Sequence, residues 1–394
     1  MDGSMKNAIL LTLAWLFLCG VALGQEKQLV VRVKNPLRVD RFSEIVTVQW
    51  NDVKKILPSV DPAKISVQEK TANSELPFQL VDLNKDGVPD ELLFQSSFKP
   101  SETREFIVKT SAAPLAQFHP LTDARFVPPR EDVAWENDRI AFRMYGPPLA
   151  KEGSNNGIDV WTKRVRSLIV EKWYEGEEQK PPISYHEDHG EGADYFDVGK
   201  SLGAGASALI MNGSLLQPGV FQKHNIIATG PLQAIFELTY NPVVYDGKNV
   251  TEVLQITLNA GVNLNKVSIT FTGESAKGAL TFAAGIVKRK GTETSFDKKN
   301  GWISLWGLTR DNPAIGSLGT GIVMPTGIMK AMKEDTIHAL IVGKAELGKT
   351  FTYYAGAGWT LSGDFKSKDD WNKYLAEFAL KLKSPLIVSV SGKK

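Results

Sequence analysis

Several short runs in which apolar and polar residues strictly alternate limit this chain more than any other feature. Leu254, Ile256 and Leu258 alternate with Gln255, Thr257 and Asn259, and Val267, Ile269 and Phe271 alternate with Ser268 and Thr270. A period of two puts one row of side chains on each face of an extended strand, so both runs read as half-buried strands. Phe236, Leu238 and Tyr240, set against Glu237 and Thr239, give a third. Asn259 to Asn263 supplies a turn between the first two runs. Asn212-Gly213, between Ala208–Met211 and Leu215-Leu216, predicts a two-residue hairpin because both residues tolerate positive φ. One helix is predicted near the C-terminus. Trp371, Tyr374, Leu375, Phe378 and Leu382 share a face, and Ser367, Asp369 and Asp370 favour the positive N-terminal end. Pro385 stops it, and Leu386 to Val390 reads as a closing strand.

The N-terminus reads as a signal peptide over residues 1–24. Met1 to Lys6 carries charge, Ala8 to Leu18 is an apolar core, and Val21-Ala22-Leu23-Gly24 is a small-residue cleavage site before Gln25. The apolar run is shorter than the roughly 20 residues that span a bilayer as a helix, so no membrane span is expected. The single cysteine, Cys19, falls in this segment, and Leu16-Phe17-Leu18 lacks the small residue that lipid attachment wants just before it. The expectation is a periplasmic or secreted protein without disulfides, held together by its core. The formal charge is +2, which gives no footprint for nucleic acid.

Proline-rich irregularity between Thr110 and Glu131 marks a boundary. The predicted organisation is a small β domain over residues 25–112, a linker over 113–130 and a large antiparallel β-sandwich over 131–394. Strands of the small domain are expected near Leu29–Val33, Ile45–Trp50, Ile65–Gln68, Glu91–Phe94 and Glu105–Val108.

Two segments concentrate polar chemistry. Asp82, Asn84, Asp86 and Asp90, with Gly87 between, match the first nine positions of a calcium loop, but position twelve is Leu93 and the loop leads into a strand. A polar hairpin turn closed by its own side chains explains the same residues, and calcium here would be structural. The second segment runs from Tyr185 to Tyr195 and on to Asp197 and Lys200. His186 and His189, two of the five histidines, stand there beside Glu191 and Asp194. Glycines at 190 and 192 forbid a helix, so the segment is a loop or edge on which functional groups can be presented. A divalent ion held by His189, Glu191 and Asp194, with or without His186, is one reading. An acid–base site is another, because histidine titrates near working pH. A solvated acidic loop is the third.

Arg143, Trp161, Lys163, Arg164, Trp173 and His224 bracket this cluster, and Tyr353 to Trp359 is an aromatic, glycine-spaced stretch. Aromatic faces stack on sugar rings and arginine grips carboxylates, so Trp161, Lys163, Trp173, His224, Tyr354 and Trp359 are candidate substrate contacts. No Gly-x-Ser-x-Gly elbow, phosphate loop or dinucleotide fingerprint is present, which argues against serine hydrolases, nucleotide enzymes and dehydrogenases.

Val81 to Gln95, Tyr185 to Gly205, Gly230-Pro231-Leu232, Tyr353 to Trp359, Ser362-Gly363 and Trp371 together resemble an uncharacterised family of secreted bacterial proteins, the domain-of-unknown-function family numbered 4861. Gln25 after the cleavage site is similar to exported proteins of the Bacteroidetes. The resemblance implies a companion of pectin and other uronic-acid degradation systems. It also implies a sugar-processing β-sandwich of the galactose-mutarotase-like supersandwich kind, shared by aldose epimerases and several lyases. It transfers no catalytic residue. The expected function is therefore action on uronate-containing oligosaccharides, foremost as a lyase by β-elimination. His186 or His189 would be base, Arg143, Arg164 or Lys200 the neutralising cation, and Tyr185 or Tyr195 the acid. A non-catalytic carbohydrate-binding protein and a metal-dependent hydrolase or epimerase are the alternatives.

Overall fold

The computed structural model describes residues 27–72, 74–111, 117–128, 130–273 and 279–393. The expected signal peptide over residues 1–24, with Cys19, lies outside them. Strands dominate and every ladder between them is antiparallel, as the period-two runs require. Lys248–Asn259 and Leu264–Gly273 pair so that Leu254 faces Ile269 and Ile256 faces Val267, which puts the apolar rows on one side. Asn212 (φ 51°) and Gly213 (φ 82°) form the expected tight turn.

A small sandwich comes first. Its four-stranded sheet orders Ile387–Lys393, Gln28–Lys34, Thr103–Thr110 and Ile65–Glu69, and it faces a three-stranded sheet of Arg41–Gln49, Glu91–Phe98 and Phe78–Val81. Val31, Val46, Phe94, Phe98 and Phe106 fill the space between. Two details correct the expected boundaries. The C-terminal strand pairs with Gln28–Lys34 (Val31 opposite Val390), so the chain end completes the small sheet rather than the large one. Thr122–Val127, placed by sequence in the linker, is a strand paired with Asp132–Asn137, and both of its faces are covered: Ala124 packs into the large core and Val127 into the cluster under α2.

The larger unit is a nine-stranded sheet running from Phe221–Ala228 to Glu293–Asp297, covered by two five-stranded sheets. One is built around Ala204–Met211 and Leu280–Val287. The other orders Gly192–Asp194, Asp159–Lys163, Ala141–Met144, Asp132–Asn137 and Thr122–Val127. A single core containing Trp135, Phe236, Ile256, Phe282 and Tyr353 joins all three sheets.

The described residues form three α-helices: α1 (Trp50–Ile56), α2 (Val170–Glu177) and α3 (Lys368–Lys383). Only α3 was visible in the sequence. The Ser367 side chain accepts from the Asp370 N–H, capping it as expected, and Trp371, Leu375 and Ala379 are its buried residues. Trp50, expected to end a strand, starts α1. Among the described residues no helix is long and apolar enough to cross a membrane.

Candidate functional site

Strand register creates the site. Asp159 stands opposite Arg143, and two residues along the same strand Trp161 stands opposite Asp194. Residues two apart share a face, so Arg143, Asp159, Trp161 and Asp194 all project to one side of the sheet. Helix α2 and the loop after it cover this side, and Trp161 lies fully buried against Trp173, Tyr174 and Tyr185.

Arg143 is the hub. Its Nε and Nη2 donate to Asp159 Oδ2 at 2.9 and 2.6 Å, Nη2 also reaches Asp194 Oδ2 at 2.8 Å, and Nη1 donates to the Tyr185 hydroxyl at 3.1 Å. Arg130 donates to the same hydroxyl at 3.1 Å. Burial disfavours the charge on Arg143, but Asp159 and Asp194 outweigh it and hold the guanidinium protonated. Burial likewise pushes the Asp194 carboxyl well above the carboxylate range, and Asp159 adds to the rise while Arg143 and Arg310 oppose it. Tyr185 is raised by burial against the pull of Arg143 and Arg130.

His186 stands at the mouth of this network. Its side chain is 48% exposed, with Nδ1 3.5 Å from Asp194 Oδ2 and 3.4 Å from the Asp194 carbonyl oxygen. Its ring leans on that of Tyr185 at 4.6 Å. Arg310 arrives from a turn far along the chain. It is held with φ 46° and ψ 34°, a conformation costly for a residue with a Cβ, and its Nη2 donates to the Asp194 carbonyl at 3.2 Å. Its guanidinium lies 5.5 Å from the centre of the Tyr195 ring and 3.6 Å from Asp197. Gly192 lets the chain pass: at φ 113°, a Cβ there would lie 2.0 Å from the Thr162 carbonyl oxygen.

The remaining candidates separate into other roles. His189 is exposed, with Nε2 3.2 Å from the Ser184 carbonyl, and lines a cavity of about 300 Å³ with Tyr185, Lys172 and Glu191. Glu191 is bound to Lys172 at 2.8 Å and to the Trp173 indole N–H at 3.2 Å, while Asp194 faces Arg143. His189, Glu191 and Asp194 therefore do not converge, and among the described residues no three His, Cys, Asp or Glu side chains gather around a metal position. The Asp82 loop is closed by its own side chains: Asp82 accepts from the Asp86 and Gly87 N–H groups, Asn84 from Asp86, Asp86 from Val88, and Asp90 from Leu83.

The proposed sugar platforms need correction. Trp161 and Trp359 are 0% and 1% exposed and Trp173 is 8% exposed, so none offers a ring face. Lys163 is sealed in an ion pair with Glu136 at 2.5 Å. His224 is exposed on a separate strand, stacked on Phe126 at 4.1 Å, and Tyr354 packs on Phe378 of α3. Arg164 pairs with Asp188 and lies over Trp359. Lys200 is exposed beside Gly153. Arg143 is also corrected as a substrate cation, since its donors are already engaged within the fold.

Sequence reading missed Asp159, Arg130 and Arg310. Asp159 had a signal, a charge at an inward position in phase with Trp161. Arg310 had none, because only the turn after Trp302–Leu308 brings it to Asp194.

The "domain of unknown function (DUF4861)" matches residues 33–388. The chain belongs to this family. A relative from Formosa agariphila, described as "Uncharacterized protein P7", is 33% identical over 405 residues, covering 98% of this chain and all of its own. Two solved structures share the fold. An α-mannosidase from Enterococcus faecalis V583 superposes with a TM-score of 0.54 at 9% identity, covering 92% of this chain. A glycosyl hydrolase family 38 protein from Enterococcus faecalis gives 0.51 at 10% identity over 92% of this chain. The DUF4861 chain spans 46% and 47% of those two proteins, so the likeness is to part of each.

Proposed function

We propose that this DUF4861 protein is an exported carbohydrate-active enzyme that breaks uronate-containing oligosaccharides by β-elimination. The observation that carries the reading is the pairing of exposed His186 with buried Asp194, beside the half-exposed guanidinium of Arg310. His186 takes the proton next to the uronate carboxylate, and Asp194 orients the imidazole through Nδ1. Arg310 replaces Arg143 as the cation that neutralises the substrate carboxylate as the carbanion develops. The electron pair left on carbon forms the double bond, the glycosidic C–O bond breaks, and the leaving oxygen takes a proton from Tyr195. Burial and the neighbouring Asp188 raise the affinity of that hydroxyl for its proton. The α-mannosidase fold likeness supports a saccharide substrate.

Burial of the tryptophans weighs against the non-catalytic binding reading. Every tryptophan among the described residues except Trp306 is buried, which removes the flat surfaces such proteins use. Incubation with polygalacturonate, rhamnogalacturonan and ulvan oligosaccharides tests the proposal. Elimination yields new reducing ends together with ultraviolet absorbance from an unsaturated uronate. Reducing ends without absorbance mean hydrolysis, and binding without either means a binding protein.

A further inference from the structure

A cleft of about 960 Å³ lies between the small sandwich and helix α2. One side is apolar: Phe78 and Phe118, whose rings meet edge to face at 5.5 Å, with Pro120 and Pro231. The other is the exposed flank of α2, carrying Glu171, Lys172 and Glu175.

The Arg125–Glu171 ion pair at 2.7 Å ties α2 to the strand Thr122–Val127, and the apolar wall is tied to the large unit by hydrogen bonds. The buried Gln79 side chain accepts from the Leu232 and Gln233 N–H groups at 2.9 and 2.8 Å and donates to the Gln233 carbonyl at 2.9 Å. The Leu121 N–H donates to the Pro231 carbonyl at 2.9 Å. A cleft built this way needs no ordering on binding, which favours affinity. It also communicates with the region of the proposed chemistry, since Lys172 lines both this cleft and the cavity that holds His189 and Tyr185.

Charge decides what fits. Arg125 is bound to Asp123 and Glu171, and Lys172 to Glu191. Glu175 forms no ion pair among the described residues. The cations are therefore spent internally and a carboxylate is left over, an arrangement that repels a uronate but accepts hydrogen bonds from neutral hydroxyls. The opposite wall offers the partly exposed Phe118 ring, seated on buried Phe78, for the apolar side of a sugar.

We infer that this cleft is a subsite for neutral sugar residues of a mixed saccharide, the uronate of the same chain being held at His186. The inference rests on the saccharide reading above and adds the class of substrate: neutral sugars alternating with uronates, rather than a uniform polyuronate.

Calorimetric titration of the mature protein with rhamnogalacturonan oligosaccharides, and with polygalacturonate oligosaccharides of matched length, tests it. Lengthening the mixed series from tetramer to octamer should tighten binding about tenfold or more, while the uniform series gains little. Phe118→Ala and Glu175→Arg should each abolish the length gain and leave tetramer affinity and turnover intact. Variants that keep the gain, or a larger gain with polygalacturonate, overturn the subsite alone. Failure of wild type to bind either series overturns the saccharide reading with it.

Discussion

Nδ1 of His186 lies 3.5 Å from Oδ2 of Asp194, an exposed imidazole set against a carboxyl group that is 2% exposed. Such a pair can accept a proton at the surface while its partner remains shielded. His186→Ala should lower kcat by about 10²- to 10⁴-fold, the ordinary range for a general base, with little change in the thermal melt. His189→Ala should cost far less, because its Nε2 lies against the Ser184 carbonyl and not against Asp194. Steady-state kinetics of the two variants side by side checks this.

Arg143 is predicted to be structural as well as organising. Replacing it with Met leaves Asp159 and Asp194 buried together without their shared cation. Loss of one partner from a buried charge network costs about 3–5 kcal/mol, so urea denaturation of Arg143→Met should show a loss on that scale.

The Lys163–Glu136 pair separates packing from charge. Both side chains are sealed, and Glu136 also accepts from the Ile169 and Val170 N–H groups at the start of α2. Lys163→Met alone should destabilise by about 3–5 kcal/mol, and adding Glu136→Gln should recover much of it. A double-mutant cycle in denaturant measures the coupling.

Glu252 predicts a pH dependence of stability. It lies inside the large sandwich with a single hydrogen-bond donor, Ser207 Oγ at 2.9 Å, and burial pushes its carboxyl up from an ordinary 4.5 to about 8. The folded protein holds this proton where the unfolded chain has released it. The stabilising contribution is therefore complete below pH 4.5 and is lost as pH rises through about 8. Melting temperatures between pH 5 and 9 should fall with pH, and Glu252→Gln should flatten the fall.

The all-β class, the hairpin at Asn212-Gly213 and the capped helix α3 were readable because each depends on neighbours in sequence: a period of two, two residues at positive φ, a Ser367 acceptor. Helix α2 was not, since its eight residues carry no capping side chain of their own and Glu136 supplies that function from a distant strand. The closing strand was readable, but not its partner, because pairing across 357 residues (Arg32 with Ser389) leaves no local trace. The density of histidines and acids pointed to the loop that the fold sets against Arg143 and Arg310. What the aromatic residues do was misread, because Trp161 and Trp359 have the same composition signal whether they stack on a sugar or on each other's neighbours. Arg310 was invisible for the reason that Ser389 was: only the fold brings it near.

The most direct test of a proton-transfer role for the His186–Asp194 pair is the pH profile of kcat/KM for unsaturated-uronate release, measured for wild type and Asp194→Asn. Wild type should show an ascending limb from an imidazole that must be neutral to act. Asp194→Asn should lower kcat, because the carboxyl that faces the imidazole Nδ1 and shares Arg143 is replaced by an amide. An unchanged profile and rate in Asp194→Asn, or no release of unsaturated product by wild type at any pH, would contradict the account.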